Sequence, residues 1–278
     1  MNKIMKIKKS YFSGECAIVT GASSGIGREI SKILVRDYGM VVFGCARNLE
    51  RLNETKKYVE EGSQSNGCFI PYPLDVTHAD EIQHLRDHIN RNTYNLRLVV
   101  SNAGQMTPFM CFSHTRMSEA EKLVDVNLLG SMNLANAFLP DFEKSPRKVG
   151  FVFVGSLAGL VPIPGSSVYS ASKGGVKQFA ESLVAENTNK KIYIGLMMPG
   201  MTNTNLFANA GINLPDWIKK LMTPADKMAK KIVDCARKRK RRVVLGADAK
   251  LMKFCYTLSP KGFPRTMRRI LRKFGILQ

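Results

Sequence analysis

The sequence predicts an α/β fold of the Rossmann type, a doubly wound parallel sheet with helices on both faces, followed by a basic C-terminal helical appendage. Short apolar runs of strand length alternate with helical patterns from residue 15 to about residue 200. The runs are continuously apolar, which is typical of strands that are covered on both faces. A glycine-rich turn follows the first run directly.

The elements follow in chain order. The predicted strands are residues 16–20, 40–46, 68–73, 96–101, 148–154, 191–197 and 242–245. The principal predicted helices between them are residues 26–37, 79–90, 119–138 and 170–187. We therefore expect one Rossmann-type domain over residues 14–246, a basic arm before it at residues 1–13, and the appendage at residues 247–278.

The net charge of +20 lies at the two ends of the chain. Residues 1–10 contain four Lys and no acid, and residues 11–218 contain 19 basic and 19 acidic side chains. Residues 219–278 contain 19 basic side chains against 3 acidic ones. This distribution favours a peripheral contact with an anionic surface, and no nucleic-acid partner is expected.

The cysteines predict neither a metal site nor a disulfide framework. None forms a C-x-x-C pair or has a histidine at ligand spacing, so we expect no metal; they are Cys16, Cys45, Cys68, Cys111, Cys235 and Cys255. Scattered cysteines are typical of a reducing compartment. No apolar run approaches the roughly 20 residues that a bilayer requires, and no secretory signal is expected. The predicted location is the cytoplasm. A peripheral contact with a membrane is a further expectation.

The first turn predicts a nucleotide site. The sequence TGASSGIG spans residues 20–27, between a predicted strand and a predicted helix. Glycines permit a sharp turn and close approach of a pyrophosphate, and the amides of the helix N-terminus favour an anion. The candidate contacts in this turn are Gly21, Ser23, Ser24, Gly25, Ile26 and Gly27.

The end of the second predicted strand indicates which dinucleotide binds. A site for NAD has a carboxylate there, whereas this chain has Arg47 and Asn48. A guanidinium matches a 2′-phosphate, so the expected cofactor is NADP(H); the alternative is that Arg47 is a solvated loop residue. Further candidate contacts lie after the third and fourth strands, at the edge where ligands bind in open parallel sheets. They are Asp75, Val76, Asn102, Ala103 and Gly104.

Three side chains near the fifth strand predict carbonyl–alcohol chemistry. Ser156 follows that strand, and Tyr169 and Lys173 lie four residues apart on one predicted helix face. A neighbouring ammonium favours the phenolate form of Tyr169, which can then exchange a proton with a carbonyl or carbinol oxygen. Ser156 can donate a hydrogen bond to the same oxygen.

These motifs closely resemble the short-chain dehydrogenase/reductase family over residues 14 to about 245. The matching segments are TGASSGIG (20–27), SNAG (101–104), DVNLLG (125–130), Ser156, YSASK (169–173) and PGMTNT (199–204). The resemblance implies a catalytic tetrad of Asn127, Ser156, Tyr169 and Lys173, with Asn127 supporting a water-mediated proton relay to Lys173. The alternative reading of Asn127 is a bend in its helix.

The resemblance also implies that Tyr169 and Lys173 contact the cofactor, and that Pro199, Gly200 and Thr204 contact its nicotinamide end. Two positions depart from the usual family pattern. Ser101 stands where Asn is more usual, and Gly155 stands where Ser is frequent. Neither position carries the chemistry. The family also builds dimer or tetramer contacts on the two helices predicted at 119–138 and 170–187, so a homo-oligomer is expected.

The segments around the tetrad predict a lipophilic substrate. Residues 106–112, 157–164 and 206–222 are rich in apolar side chains, and residues 201–223 are the expected substrate lid. A steroid, a long-chain 3-oxo compound or a sphingoid-type precursor fits this character, with the names taken from the family resemblance. The alternative is that these side chains only pack the lid onto the core or onto another subunit.

The C-terminal tail has the pattern of a short amphipathic helix at residues 265–277. Apolar side chains recur at helical spacing among basic ones, namely Met267, Ile270, Leu271 and Phe274. Such a helix can lie on an anionic membrane, or it can pack on its own domain or on another subunit. Residues 251–258 form a second apolar cluster with the same alternatives, docking on the sheet or dipping into lipid.

Two functions remain open at the level of sequence. The first is an NADP(H)-dependent oxidoreductase that interconverts a carbonyl and a secondary alcohol on a lipophilic substrate. The second is a nucleotide-sensing regulatory protein on the same fold that binds a membrane or nucleic acid through its basic tail. The intact tetrad favours the enzyme, because a protein without catalysis has no physical need for these side chains together.

Overall fold

The computed structural model describes residues 14–277, and the predicted arm at residues 1–13 lies outside the described residues, as does Gln278. The strands are β1 (Cys16–Thr20), β2 (Val41–Ala46), β3 (Cys68–Pro73), β4 (Leu96–Ser101), β5 (Val149–Val154), β6 (Ile192–Pro199), β7 (Thr202–Asn203), β8 (Thr223–Pro224) and β9 (Arg242–Leu245). Within the described range, seven of them form a parallel sheet in the order β3-β2-β1-β4-β5-β6-β9. The doubly wound sheet is therefore confirmed.

The helices alternate with these strands. They are α1 (Gly25–Tyr38), α2 (Leu49–Glu60), α3 (Ala79–Arg91), α4 (Met117–Val124), α5 (Gly130–Lys144), α6 (Ser167–Glu186), α7 (Leu206–Asn209), α8 (Asp216–Leu221), α9 (Ala225–Arg237), α10 (Ala247–Leu258) and α11 (Gly262–Lys273). A π-helical segment, Asp125–Leu129, joins α4 to α5. One helix was predicted over residues 119–138, so this interruption differs from the expectation.

Each face of the sheet is covered by a separate apolar layer. Successive strand residues point to opposite faces, so Ala17 and Val19 contact one layer while Cys16 and Ile18 contact the other. The first layer contains α1, α2 and α9, and the second contains α3, α5 and α6. Burial on both faces explains why the strands read as continuous apolar runs.

The strand order reverses direction between β1 and β4, which are neighbours although two strands separate them in sequence. Ligands bind at the carboxyl ends of the strands at such a switch point. Strand β6 runs two residues beyond its predicted end because its pairing with β9 continues to Pro199 opposite Leu245. This extension brings the segment after β6 to the same edge of the sheet.

The appendage consists of α10 and α11 and packs on its own domain. Ala249, Met252 and Tyr256 of α10 contact a small core that includes Leu157 and Val161. Helix α11 ends two residues before Gly275, which adopts the left-handed conformation at φ +65°. Of the helices in residues 14–277, none is both long and apolar enough to cross a membrane.

Candidate active site

The glycine-rich turn after β1 is held by the loop that follows β4. The side-chain oxygen of Thr20 accepts hydrogen bonds from the backbone N–H groups of Asn102 and Ala103, both at 3.0 Å. The amide of Asn102 donates to the carbonyl of Thr20 at 2.9 Å. A Cβ at Gly21 would lie 2.9 Å from this amide, and one at Gly27 would lie 2.4 Å from the carbonyl oxygen of Gly21. The close backbone approach therefore requires glycine at both positions.

Helix α1 begins inside this turn and presents its first backbone amides to solvent. Ser24 occupies the N-cap position, and its side chain makes no capping hydrogen bond among the described residues. The first turn of α1 contains no acidic side chain. Uncapped amides and the helix dipole together favour an anion, so the geometry suits a pyrophosphate.

A cavity of about 840 Å³ runs from this turn across the carboxyl edge of the sheet. All of the predicted cofactor contacts line it except Gly27, which lies behind the turn. The lining residues among them are Gly21, Ser23, Ser24, Gly25, Ile26, Arg47, Asn48, Asp75, Val76, Asn102, Ala103, Gly104, Tyr169, Lys173, Pro199, Gly200 and Thr204. The structure therefore brings together residues that are spread over nearly two hundred positions of sequence.

Arg47 and Asp75 face each other at one end of the cavity. A guanidinium nitrogen of Arg47 lies 3.8 Å from Asp75 Oδ2, and the Arg47 side chain is 63% exposed. Burial raises the pKa of Asp75, but hydrogen bonds from Thr77 and the charge of Arg47 outweigh it and hold that pKa below its usual value. An exposed ion pair at this distance is weak. Arg47 is therefore a charged group that can turn toward a phosphate.

The start of α2 supplies one cavity residue that the sequence reasoning missed. Asn48 caps α2, because its side-chain oxygen accepts a hydrogen bond from the backbone N–H of Arg51 at 2.8 Å. This cap places Arg51, in the first turn of α2, on the cavity wall together with Arg47. The sequence signal was available, since a basic residue follows the Asn cap by three positions at the same strand end.

Ser156, Tyr169 and Lys173 meet in the middle of the cavity. Tyr169 and Lys173 lie one turn apart on α6 and are 8% and 4% exposed. Ser156 precedes a 3-10 turn, Leu157–Gly159, and accepts a hydrogen bond from the backbone N–H of Ala158 at 3.1 Å. The three side chains are thus fixed by a buried helix and by the end of β5.

The two titrating groups of this cluster are shifted by burial. Burial raises the pKa of Tyr169, and a hydrogen bond with Ser156 lowers it only in part. Burial also lowers the pKa of Lys173 from 10.5 to about 8. The pKa of Tyr169 is therefore not lowered as the sequence predicts. Desolvation disfavours the phenolate more strongly than the hydrogen bond with Ser156 favours it. Lys173 therefore titrates much closer to neutral pH than a free lysine.

Asn127 lies in the π-helical segment and is fully buried. Its Oδ1 accepts a hydrogen bond from the backbone N–H of Gln105 at 2.8 Å, and its Nδ2 donates to Gln105 O at 3.1 Å and to Ser172 Oγ at 3.0 Å. It does not line the cavity. A Cβ at Gly104 would lie 3.2 Å from both Asn127 Oδ1 and Lys173 Nζ, so only a small gap separates the two groups.

The turn after β6 is fastened by the appendage, which sequence reasoning did not foresee. The backbone N–H of Met201 donates to Asp248 Oδ2 at 2.7 Å, and that of Gly200 donates to Leu245 O at 2.8 Å. A Cβ at Gly200 would lie 2.2 Å from the Asp248 carboxylate. Asp248 therefore fixes the backbone at Gly200, a predicted contact of the nicotinamide. No local pattern links residues 47 positions apart, so the sequence offered no signal for this role.

The other end of the cavity is apolar. Side chains of all three predicted segments line it, and four more come from the appendage; they are Met106, Phe109, Leu157, Ile163, Leu206, Phe207, Leu214, Ile218, Met252, Met267, Leu271 and Ile276. Met267 and Leu271 of α11 thus face the cavity. Ile212, Trp217 and Leu221 of the expected lid do not line it, and Trp217 instead packs on Phe274 at 5.1 Å between ring centroids. Trp217 and Leu221 point away because the short helix α8 directs only one of its faces inward, whereas Ile212 lies in the loop before α8.

Chemically, the arrangement combines a turn that suits an anion, a buried cluster of Ser156, Tyr169 and Lys173, and an apolar chamber. No group of three or more potential metal ligands occurs in residues 14–277. The glycine turn, Tyr169 and the apolar side chains all line this one cavity. Such an order suits transfer between a bound dinucleotide and a carbonyl or alcohol carbon placed next to the phenol.

Comparisons with known proteins agree with this geometry. A family model described as short chain dehydrogenase matches residues 15–214. The chain is 37% identical over 172 residues to the NADPH-dependent 1-acyldihydroxyacetone phosphate reductase of Saccharomyces cerevisiae, covering 61% of this chain and 55% of that protein. It is 30% identical over 263 residues to the dehydrogenase/reductase SDR family protein 7-like of Drosophila melanogaster, covering 91% and 79%.

A solved structure supports the fold. The short-chain dehydrogenase from Sphingobium yanoikuyae in complex with NADPH matches with a TM-score of 0.74 over 89% of this chain and 94% of that one. The two sequences are 22% identical, so this likeness concerns the architecture alone.

Proposed function

Because the chain belongs to the short-chain dehydrogenase/reductase family and is thereby an oxidoreductase of the carbonyl–alcohol pair, we propose that it uses NADP(H) to interconvert a ketone and a secondary alcohol on a lipophilic substrate. The observation that carries the proposal is one cavity whose walls include the glycine turn with Arg47 and Arg51, a set of apolar side chains, and Tyr169. The regulatory alternative has no such support, since the buried cluster Ser156, Tyr169 and Lys173 is intact.

The cofactor is NADP(H), and the residues present fit it. The uncapped start of α1 suits the pyrophosphate, and Arg47 and Arg51 supply cations where a 2′-phosphate would lie. The yeast relative is described as NADPH-dependent, and the Sphingobium yanoikuyae structure is a complex with NADPH. When bound, the dinucleotide supplies or accepts the hydride.

The protein side chains handle the oxygen of the substrate. In the direction of reduction, Tyr169 donates its proton to the carbonyl oxygen as hydride arrives at carbon, while Ser156 donates a hydrogen bond to the same oxygen. Lys173 holds a proton close to Tyr169 and donates to Val154 O at 3.3 Å, which fixes its position. Asn127 anchors the loop at Gln105 and the helix at Ser172, so it positions both walls of the site.

The apolar end favours a substrate with a hydrocarbon body. Its walls come from the lid and from α10 and α11, and they offer almost no charged groups to hydroxyl-rich molecules. The yeast relative, of which this chain covers 55%, is named for a substrate with an acyl group. A steroid, a long-chain 3-oxo compound and a sphingoid-type precursor therefore remain the substrate classes of this proposal.

Three further expectations belong to the proposal. A homodimer or homotetramer would form through the helices predicted at 119–138 and 170–187. The buried Cys16, Cys45 and Cys235 are free thiols, which supports the reducing, cytoplasmic setting expected from sequence. A contact with an anionic membrane through the appendage would bring a lipophilic substrate to the cavity.

The test is a panel of ketones that differ only in hydrocarbon length, assayed by NADPH consumption. We expect kcat/KM to rise with chain length and to fall about 5-fold to 10-fold for long ketones in Met267→Ala/Leu271→Ala, because these side chains line the cavity. Short ketones should be little affected. A panel in which hydroxyl-rich or charged carbonyl compounds are the best substrates contradicts the proposal.

A matched control changes α11 on its other face. Arg268 and Arg269 are exposed and do not line the cavity. Arg268→Ala/Arg269→Ala alters the same helix without touching the chamber, so its chain-length profile should equal that of the parent protein. A changed profile in this control indicates that α11 itself has moved.

A further inference from the structure

Helix α10 carries apolar side chains on two opposite faces. Ala249, Met252 and Tyr256 face inward and pack on the core. Leu251, Phe254 and Leu258 face outward and are 63%, 61% and 70% exposed. A surface helix of a soluble domain normally presents polar side chains to water, and a helix that is apolar all round is normally covered. Within residues 14–277, the outward stripe of α10 therefore lacks the covering that its composition predicts.

An exposed aromatic corner lies beside the appendage. Trp217 of α8 contacts Phe274, directly after α11, with 5.1 Å between ring centroids. Both rings and the Ile270 side chain are nearly half exposed. Leu221 is more exposed, at 66%. Tryptophan with one face packed and the other accessible is typical of side chains that sit at a membrane–water boundary.

The charge of the appendage after Asp248 has one sign. After Asp248 the chain contains eight basic residues and no Asp or Glu. Five of the eight lie on or beside the outer face of α11, at Arg265, Arg268, Arg269, Arg272 and Lys273, and all are exposed. Among the described residues, none of the eight forms an ion pair with an acidic side chain. The exposed Asp216 beside Trp217 is paired with Lys219, at 3.2 Å. A surface that is apolar and mostly cationic matches an anionic lipid headgroup layer.

The same two helices also form the roof of the cavity. Met252 of α10 and Met267 and Leu271 of α11 line the chamber from their inner faces. Leu277 is buried beside the loop at Gly165, where a Cβ would lie 2.5 Å from its Cδ1. The outer surface of α10 and α11 is thus only one helix thickness away from the apolar chamber.

We propose that the outward stripe of α10, together with the Trp217–Phe274 corner and the cations of α11, docks on an anionic phospholipid bilayer. The sequence leaves both α11 and residues 251–258 open as lipid contacts. In the structure Met267 and Leu271 of α11 face the cavity, so the apolar contact comes mainly from the outward stripe of α10. The docked orientation sets the roof of the cavity against the lipid, so a membrane-dissolved ketone reaches the chamber without crossing water. That last consequence rests on the proposed function, whereas the docking itself does not.

The experiment is flotation of the full chain with vesicles of phosphatidylcholine, with and without about one third phosphatidylserine. We expect binding to the anionic vesicles at low salt and its loss as salt rises, since screening weakens exposed charges. Leu251→Ser/Phe254→Ser/Leu258→Ser should weaken binding by about 10-fold or more. Arg268→Gln/Arg269→Gln/Arg272→Gln should weaken it by about 50-fold and flatten the salt dependence.

Matched controls remove equal character elsewhere. Phe112→Ser/Met117→Ser removes exposed apolar side chains from another surface, and Lys148→Gln/Lys190→Gln/Lys191→Gln removes three exposed cations at the amino ends of β5 and β6. Both should bind as the parent does. Reduction of a water-soluble ketone without vesicles is measured in parallel, so that failure of the enzyme proposal is seen separately from failure of docking.

Three results overturn the docking proposal. The parent protein fails to float with anionic vesicles at low salt, or the α10 variant floats as well as the parent. Alternatively, the parent is an oligomer in solution and the α10 variant a monomer, which makes the stripe a contact between copies of the chain. Should the triple variant fail to unfold cooperatively on heating, Leu258→Ser alone, at the last residue of α10, gives the same comparison with a smaller expected loss.

Discussion

The part of the chain up to residue 201 and the part after it hold the site together by different means. The first part uses buried hydrogen bonds, such as those that join Thr20 to Asn102 and Asn127 to Gln105. The second part contacts the cavity mainly through apolar side chains of the lid and of α10 and α11, and it leaves others exposed. Its principal polar link to the site is the bond from Met201 to Asp248.

This difference follows from what each part must do. Proton and hydride transfer need donors and acceptors held within a few tenths of an ångström, and hydrogen bonds impose that geometry. Sorting a hydrocarbon body needs only shape and apolar surface, which are less directional. Chemistry is therefore fixed by the first part of the chain and substrate access by the second.

The largest effect is expected for Tyr169→Phe, which removes the proton donor from the first part of the chain. We expect kcat to fall at least about 100-fold, because the ring keeps its packing on α6 but loses the proton donor. NADPH binding, measured by fluorescence titration, should change little. Retention of more than about a tenth of the rate would place the proton donor elsewhere.

Arg47→Asp tests whether the first part also sets cofactor choice. The substitution replaces a cation on the cavity wall by a charge that repels a 2′-phosphate, so the NADPH/NADH ratio of kcat/KM should fall by at least about 10-fold. Lys57→Asp, an exposed charge reversal on α2, is the matched control. An unchanged ratio in Arg47→Asp would reduce this arginine to a solvated loop residue.

The buried Lys173 predicts a pH profile. Its pKa is lowered to about 8 by burial, so the ammonium is present below that pH and is lost above it. In the direction of reduction, kcat/KM should be level below about pH 8 and fall up to about 10-fold per pH unit above it. A profile that stays level to pH values well above 9 would argue against Lys173 as the proton reservoir.

The same burial has a consequence for stability. Folding disfavours the charged form of Lys173. The resulting loss of folding stability is full below about pH 8, and it declines as pH rises toward 10.5, the pKa of this lysine in the unfolded chain. Lys173→Met should therefore raise the free energy of unfolding at pH 7 by about 1–3 kcal/mol while abolishing turnover. Denaturant titration of both proteins measures the difference, and destabilisation by the substitution would contradict it.

The smallest effect is expected at the link between the two parts. Asp248→Ala removes the acceptor for the Met201 amide, and we expect KM for NADPH to rise about 3-fold to 10-fold with a smaller change in kcat. Asp248→Asn keeps an acceptor oxygen and should restore most of the loss. Asp226→Ala, on the exposed start of α9, is the control. Equal losses in the Ala and Asn variants would point to a general packing role.

The strands and the polar cluster were predictable because their signals are local. Continuous apolar runs define buried strands to within one or two residues at most ends, and Tyr169 and Lys173 fall on one helix face by spacing alone. The π-helical turn at Asn127 was not predictable, because the segment has ordinary helical composition. The hydrogen bonds that fix this segment join Asn127 to Gln105 and Ser172, which are distant in sequence.

The second part of the chain was predicted less well for a related reason. The apolar positions of α11 were identified, but a helical pattern does not reveal whether they meet the domain or the solvent. In the structure Met267 and Leu271 line the cavity, whereas the side chains of Ile270 and Phe274 are nearly half exposed. Asp248 and Arg51 were missed because their roles arise only when separate elements meet at the edge of the sheet.

The hydroxyl of Thr20 also bears on how the chain matures during synthesis. Its partners are 82 and 83 residues further along, so the glycine turn lacks these bonds until β4 and the loop after it have left the ribosome. Until then β1 can pair only with β2, and its other edge is open. Such long-range parallel pairing forms slowly. A ribosome-bound chain shorter than about 105 residues plus the exit tunnel is therefore unable to bind the nucleotide tightly, and tight cofactor binding marks the moment when the switch point of the sheet has closed.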